Sequence, residues 1–260
     1  MSAPNDHPLA GFIMAVRFFS RLPTGSSPHA TPNLDRIAKI LPLASLAIGI
    51  GPAVLLFVAI HAGLDPLFSA LLAAAASAIA GGAMSEDAAA DAADGLFGGS
   101  TRERRLEILK DSRHGTYGVL TIVFVIGLKA AALAALAMRD PLAAALVWLG
   151  AAILARSGSL YVALALPPAR STGAAASAGQ VSRNGFAIGA VLALAIASAF
   201  VLPFASAWGF ALALVLAVVI AWGWTRLCER LVGGQTGDLI GALNALLEIA
   251  LLGTFMRIVG

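Results

Sequence analysis

Apolar residues in this chain run in blocks of about 20, the length a helix needs to cross roughly 30 Å of hydrocarbon at 1.5 Å per residue. Blocks at about 41–60, 66–84, 116–138, 141–166, 185–204, 208–225 and 239–259 carry little charge and predict about seven spanning helices. Polar residues concentrate between them, at 85–115, 167–184 and 226–238. The apolar stretch 12–22 is too short to span. Its aromatics, with Arg17 and Arg21 four apart, suit a helix lying in the membrane interface that Pro23 stops. The pattern predicts an all-α integral membrane protein, a polytopic bundle of about seven transmembrane helices behind an N-terminal interfacial helix. Residues 1–260 read as one domain, because no polar half is left to fold by itself.

Composition strengthens this reading. Of 260 residues, 59% are hydrophobic and only 12% charged, against ~25% charged in soluble domains; an ordinary soluble globule is excluded. The mean hydropathy of +0.89 agrees. The net charge of +3 speaks to orientation rather than to nucleic acid, because basic residues collect in cytoplasmic loops. With seven spans and a cytoplasmic N-terminus, the regions 1–40, 85–115, 167–184 and 226–238 fall on one side and hold 13 of the 17 Lys and Arg. The polar segments are therefore expected to face the cytoplasm. Residues 1–11 lack the basic and apolar regions of a signal peptide, so the first span is expected to stay in the mature protein. Cys228 is alone and reads as a buried, inert thiol. The runs LLAAAASAIA and KAAALAALAM offer small faces for close helix packing. Segment 167–184 reads as a polar loop, or as a lid over substrate.

Charge is expensive in a membrane protein, and it is densest at Glu86, Asp87, Asp91 and Asp94. At 100° per residue, Asp91 lies about 40° and Asp94 about 20° from Asp87, so these three carboxylates share a helix face, with Glu86 off the stripe. The residues between them are alanines, with no Lys or Arg to offset the repulsion. Oxygen ligands of this kind favour Mg²⁺ or Mn²⁺ completed by water and phosphate; the alternative is a solvated acidic helix end. Gly95, Gly98 and Gly99 are expected to break the helix and offer backbone N–H groups to phosphate. Directly downstream, Arg102, Arg104 and Arg105 read as anchoring residues. Lys110, Asp111, Ser112 and Arg113 read as a phosphate clamp, and His114 as an inert loop histidine. A last polar island, VGGQTGDLIGALNALLEI, has Gly233, Gly234 and Gly237 ahead of a helix that Thr236 or Asp238 would cap. Asn244 and Glu248 follow four apart, and an intramembrane Glu is a functional candidate by default. Other mid-span charges are Lys129 and Arg156, the latter a substrate contact or a partner for a carboxylate.

Together these motifs resemble the adenosylcobinamide-GDP ribazoletransferase (cobalamin synthase) family. The resemblance runs nearly end to end: Phe18 to Pro23 as Phe-x-(Ser/Thr)-Arg-(Leu/Ile)-Pro, Pro42-Leu43, the acidic stripe, Lys110 to Gly118, and Gly233 to Asp238. The family's acidic motif, His-x-Asp-Gly-Leu-Ala-Asp-x-x-Asp-Gly, is matched by Asp87, Ala90, Asp91, Asp94 and Gly95. Ser85 stands for the His, Ala88 for a Gly, and Ala245 where the family often has Glu. The resemblance implies a transferase of late vitamin B12 synthesis in the bacterial inner membrane. The phosphorus on cobinamide in adenosylcobinamide-GDP is attacked by the 5′-hydroxyl of α-ribazole, or by its 5′-phosphate form, and GMP leaves. It implies Mg²⁺ on Asp87 and Asp91, with Asp94 as a further ligand or general base, and a catalytic role for Asp91, Asp94, Lys110 and Arg113. Substrate contacts are expected from Arg105, Lys110, Asp111, Ser112, Arg113, Gly234, Thr236, Asp238, Asn244 and Glu248. Membrane lipid is an expected partner and nucleic acid is not. Two alternatives are weighed. A CDP-alcohol phosphotransferase would need an Asp-Gly…Ala-Arg…Gly…Asp…Asp spacing that is absent, and a Mg²⁺ transporter would need acidic residues along a path across the bilayer.

Overall fold

A computed structural model describes residues 8–25, 31–111, 113–170 and 177–259. The helices are α1 (Pro8–Phe19), α2 (Leu34–His61), α3 (Pro66–Gly81), α4 (Met84–Gly98), α5 (Arg102–Ile108), α6 (Thr116–Ala137), α7 (Pro141–Ser159), α8 (Tyr161–Ala165), α9 (Arg183–Val201), α10 (Ala207–Val232) and α11 (Gly237–Ile258). Their starts follow the sequence closely. Asp65 before Pro66 and Asp140 before Pro141 each cap a helix through a carboxylate accepting two backbone N–H bonds, with proline at the first position where no N–H is missed. Asn33, Ser182, Ser206 and Thr236 cap α2, α9, α10 and α11, each through a side-chain oxygen accepting one backbone N–H bond.

Six helices are long and apolar enough to cross a membrane, and α3 with α4 makes a seventh if the bent pair is one span. The all-α multi-span architecture thus follows the apolar blocks, with shifted edges. α2 begins at Leu34 and α10 continues to Val232, because their polar outer turns are still held by caps and neighbouring helices. The segment 85–115 is largely helical. Gly95 and Gly98 lie inside α4, and Gly99 ends it in extended backbone rather than a left-handed turn. The expected phosphate cradle of broken helix is therefore absent there: Leu109 and Arg105 pack directly on Gly95.

α3 and α4 meet at 86°. The corner is built from two left-handed residues, Gly82 (φ 66°) and Ala83 (φ 54°). A side chain at Gly82 would also strike Arg21, whose backbone N–H donates to the Ala80 carbonyl. The turn brings the acidic helix back against α6 and α11.

All connections between spans gather at two ends. At one, the Ala205–Val259 bridge closes the bundle, and Arg139 donates to the Met256 and Val259 carbonyls. At the other, the polar end, Asp35 of α2 accepts from Ser182 before α9, and segment 167–169 pairs with Gln235 before α11. α7–α8 and α11 are the most enclosed, with 67% and 61% of their apolar windows buried against 28% for α9 and 22% for α10. The core sits on α7 and α11, while α9 and α10 form an outer wall. The alanine faces are buried as expected, including Ala73, Ala130, Ala134 and Ala137, and Gly241 of α11 lies against Ala88 of α4.

Candidate active site

The acidic stripe divides in the structure. Asp87 is exposed, Asp91 is mostly covered, and both meet His114, the residue just before the α6 cap Gly115. His114 Nε2 lies 3.7 Å from Asp87 Oδ1, and Nδ1 lies 3.6 Å from Asp91 Oδ1, beyond hydrogen-bonding distance. One ligand atom from each of the three lies within 4.8 Å of the others. The corner that returns α4 to the start of α6 thus sets the His114 ring between two carboxylates, a neighbourhood its place in the sequence did not reveal. From the first turn of α11, Asp238 adds a third carboxylate within electrostatic reach of Asp87 and Asp91. Thr236 caps that helix and donates its hydroxyl to Asp238 Oδ2 at 3.3 Å.

Asp94 does not join this group. It is buried, and its two oxygens accept the N–H groups of Gly115 and Gly118 at 2.6 and 2.9 Å, capping α6 from another helix. A Cβ on Gly118 would lie 2.3 Å from Asp94 Oδ2, so glycine is what lets the carboxylate approach. Both oxygens are thus committed to holding the His114 segment in place. Asp94→Ala is expected to cost about 1–3 kcal/mol of stability, because two N–H groups lose their acceptor. A thermal melt in detergent checks this, with a fall in the midpoint as the expected result.

The basic residues also separate. Arg105, expected to touch substrate, instead donates to the Leu96 and Leu231 carbonyls, tying α4 to α10. Arg102 does the same between Val232 and Ala169. The Leu96, Leu231 and Val232 carbonyls among these are helix ends with no partner within their own helix. Lys110 is exposed, and Arg113 forms a fork on Asp111 at 3.0 and 2.7 Å. That fork holds the Asp111 carboxyl down at about 2, so the pair stays charged at any physiological pH. Ser112 lies outside the described residues, as does 171–176, the middle of the expected lid.

Two residues the sequence did not single out complete the polar end. Arg170 donates to the Leu106 carbonyl at 2.5 Å, keeps a buried Nε without a partner among the described residues, and interacts electrostatically with Asp238. Gln235 is buried with neither end of its amide paired among the described residues. Both belong to the paired segments 167–170 and 233–238, where Gly234 allows the close approach: a Cβ there would meet Pro167 O at 2.6 Å. No local pattern marks them, since the pairing joins positions about 65 residues apart.

Asn244 and Glu248, expected as substrate contacts, lie deeper and serve the bundle. Asn244 Nδ2 donates to Ser85 Oγ at 2.7 Å, so the serine that stands for the motif's histidine is itself tied to α11. Glu248 accepts from Trp148 Nε1 at 2.8 Å and pairs with Lys129 at 3.1 Å, and Lys129 also reaches Glu86 at 3.5 Å. Arg156 is buried within electrostatic reach of the same two glutamates. Two cations and two carboxylates from α4, α6, α7 and α11 thus neutralise one another inside the bundle.

This chain matches the model of the cobalamin-5-phosphate synthase family over residues 11–256. It is 41% identical to an adenosylcobinamide-GDP ribazoletransferase of Azorhizobium caulinodans over 248 residues, covering 94% of each chain. It is 39% identical to the protein of that name from Bradyrhizobium diazoefficiens, over 94% of this chain and 92% of the relative. With that from Brucella canis it shares 40% identity, over 92% and 94%. No solved structure matches.

Proposed function

The chain belongs to the cobalamin-5-phosphate synthase family, and on that premise we propose how its residues transfer the phosphocobinamide moiety of adenosylcobinamide-GDP to α-ribazole, or to its 5′-phosphate, releasing GMP. The observation that carries the reading is the convergence of Asp87, Asp91, His114 and Asp238 at the polar end, with Arg170 beside them. The donor set fits a hard divalent cation: two carboxylates converge where no Lys or Arg among the described residues pairs with them, and an imidazole completes the group. Asp87 and Asp91 would hold Mg²⁺, with His114 as the third ligand or as the group that orients a bound water. Bound there, Mg²⁺ supplies charge neutralisation for the diphosphate.

The protein's own groups do the rest. Asp94, with both oxygens engaged, positions His114 instead of accepting a proton. Asp238, the carboxylate outside the metal pair, takes the proton of the attacking ribose hydroxyl, one that is free in both acceptors, as the new P–O bond forms. Arg170, with its unsatisfied Nε, binds the phosphate of the departing GMP as the P–O bond to it breaks, and Lys110 and Arg113 draw the anionic substrate to the mouth. Gln235 offers its buried amide to the substrate. The excess of basic residues at this end orients it to the cytoplasm of a bacterial inner membrane, where nucleotides are available. Purified protein in detergent is expected to release GMP from adenosylcobinamide-GDP only when α-ribazole or its 5′-phosphate and Mg²⁺ are both present. Turnover with the cation chelated would remove the metal from this account.

A further inference from the structure

The outer wall holds a second feature. α9 and α10 leave the turn at 202–206 and both lie on the α7–α11 core, with a groove of about 570 Å³ between them. Its walls are apolar, with Phe186 and Leu194 on α9, Leu214 and Trp222 on α10, and Leu247 on its floor. Leu194 and Trp222 are exposed, so the groove opens toward the surroundings of the bundle. Ser157 also lines it, with a buried hydroxyl that no atom of the described residues satisfies.

At the polar end the chemistry changes. Trp222 also lines a second cavity of about 480 Å³, together with Arg226 and Arg230. The Arg226 guanidinium lies 5.9 Å from the Trp222 ring and pairs with Glu229 at 3.0 Å, while Arg230 is exposed with no carboxylate beside it among the described residues. The mouth therefore carries two guanidiniums, only one of which is paired with a carboxylate among the described residues.

From this pairing of an apolar groove with a basic mouth, we infer that the α9–α10 cleft is a binding site for one anionic phospholipid. An acyl chain fills the groove, the Ser157 hydroxyl donates to a glycerol-ester carbonyl, and Arg226 and Arg230 hold the phosphate. A neutral lipid would fill the groove equally well but would leave the excess positive charge at the mouth unanswered. The headgroup would rest on the end of α10 whose last carbonyls Arg102 and Arg105 already grip. The inference rests on the membrane reading and not on the assignment of the active site.

Brominated acyl chains quench tryptophan on contact, and Trp222 lines both cavities. The protein is placed in phosphatidylcholine nanodiscs doped with brominated phosphatidylglycerol or, separately, brominated phosphatidylcholine. The Trp222 signal is taken as the difference between the parent and Trp222→Phe. Phosphatidylglycerol is expected to quench that signal at a mole fraction about tenfold lower than phosphatidylcholine, and Arg226→Gln with Arg230→Gln should abolish the preference. The same comparison of the two lipids read on the total tryptophan emission of the unmodified protein needs no variant to fold. Equal quenching by the two lipids would reduce the cleft to an ordinary boundary-lipid surface and overturn the inference. So would a Trp222 signal that neither lipid alters, or a cross-link between two copies across the groove.

Discussion

Asp91→Asn is expected to lower turnover by two or more powers of ten, roughly 3 kcal/mol of transition-state stabilisation, and to raise the Mg²⁺ concentration needed for what remains. The fold should be unaffected or slightly steadier. Asp91 is mostly covered and faces Asp87 and Asp238, and its only cationic neighbour among the described residues is His114, which is charged only if protonated. Exchanging it for the isosteric amide removes repulsion without stranding a donor, whereas the similar change at Asp94 would weaken the cap on α6. Activity and stability should therefore separate at Asp91 and fall together at Asp94. Steady-state GMP release over a Mg²⁺ titration, paired with a thermal melt, gives both readouts. Parental activity of Asp91→Asn at ordinary Mg²⁺ would return this helix to a solvated acidic surface.

The largest expected loss of stability comes from inside the bundle. Lys129→Met should destabilise the protein by about 3–5 kcal/mol, because Glu86 and Glu248 would be left with their charges buried and their main counter-ion gone. Adding Glu248→Gln to Lys129→Met should recover part of that loss, since it removes one stranded carboxylate while an amide oxygen can still accept from Trp148. Unfolding in a graded denaturing detergent, followed by near-ultraviolet circular dichroism, measures the cycle. A double variant as unstable as the single one would mean that Lys129 acts through packing rather than charge. The network also explains how α4 keeps its angle: Glu86 and Ser85, at its first turn, are bound to α6 and α11 on the inner side of the Gly82–Ala83 corner.

The sequence by itself determined the helices and the solvent they face. Apolar block length is a property of each segment alone, and so are the Asp-Pro and Ser starts that cap α3, α7, α9 and α10. The motifs that carried the family resemblance were also local, and the comparisons agree with them. Which polar residues stand together was decided only by the tertiary structure. A helical wheel gives the direction of Asp87, Asp91 and Asp94 but not what lies in that direction. The start of α6 lies there for Asp94, and its free N–H groups claim both oxygens, while His114 lies there for the other two. Arg105, Asn244 and Glu248 had the composition of ligands, yet each found its partner on a neighbouring helix; Arg170 and Gln235 had no marked spacing, yet remain with buried groups unsatisfied. Hydrogen-bond satisfaction and charge neutralisation depend on pairs of atoms brought together from distant positions, and only the folded chain supplies the second member of each pair.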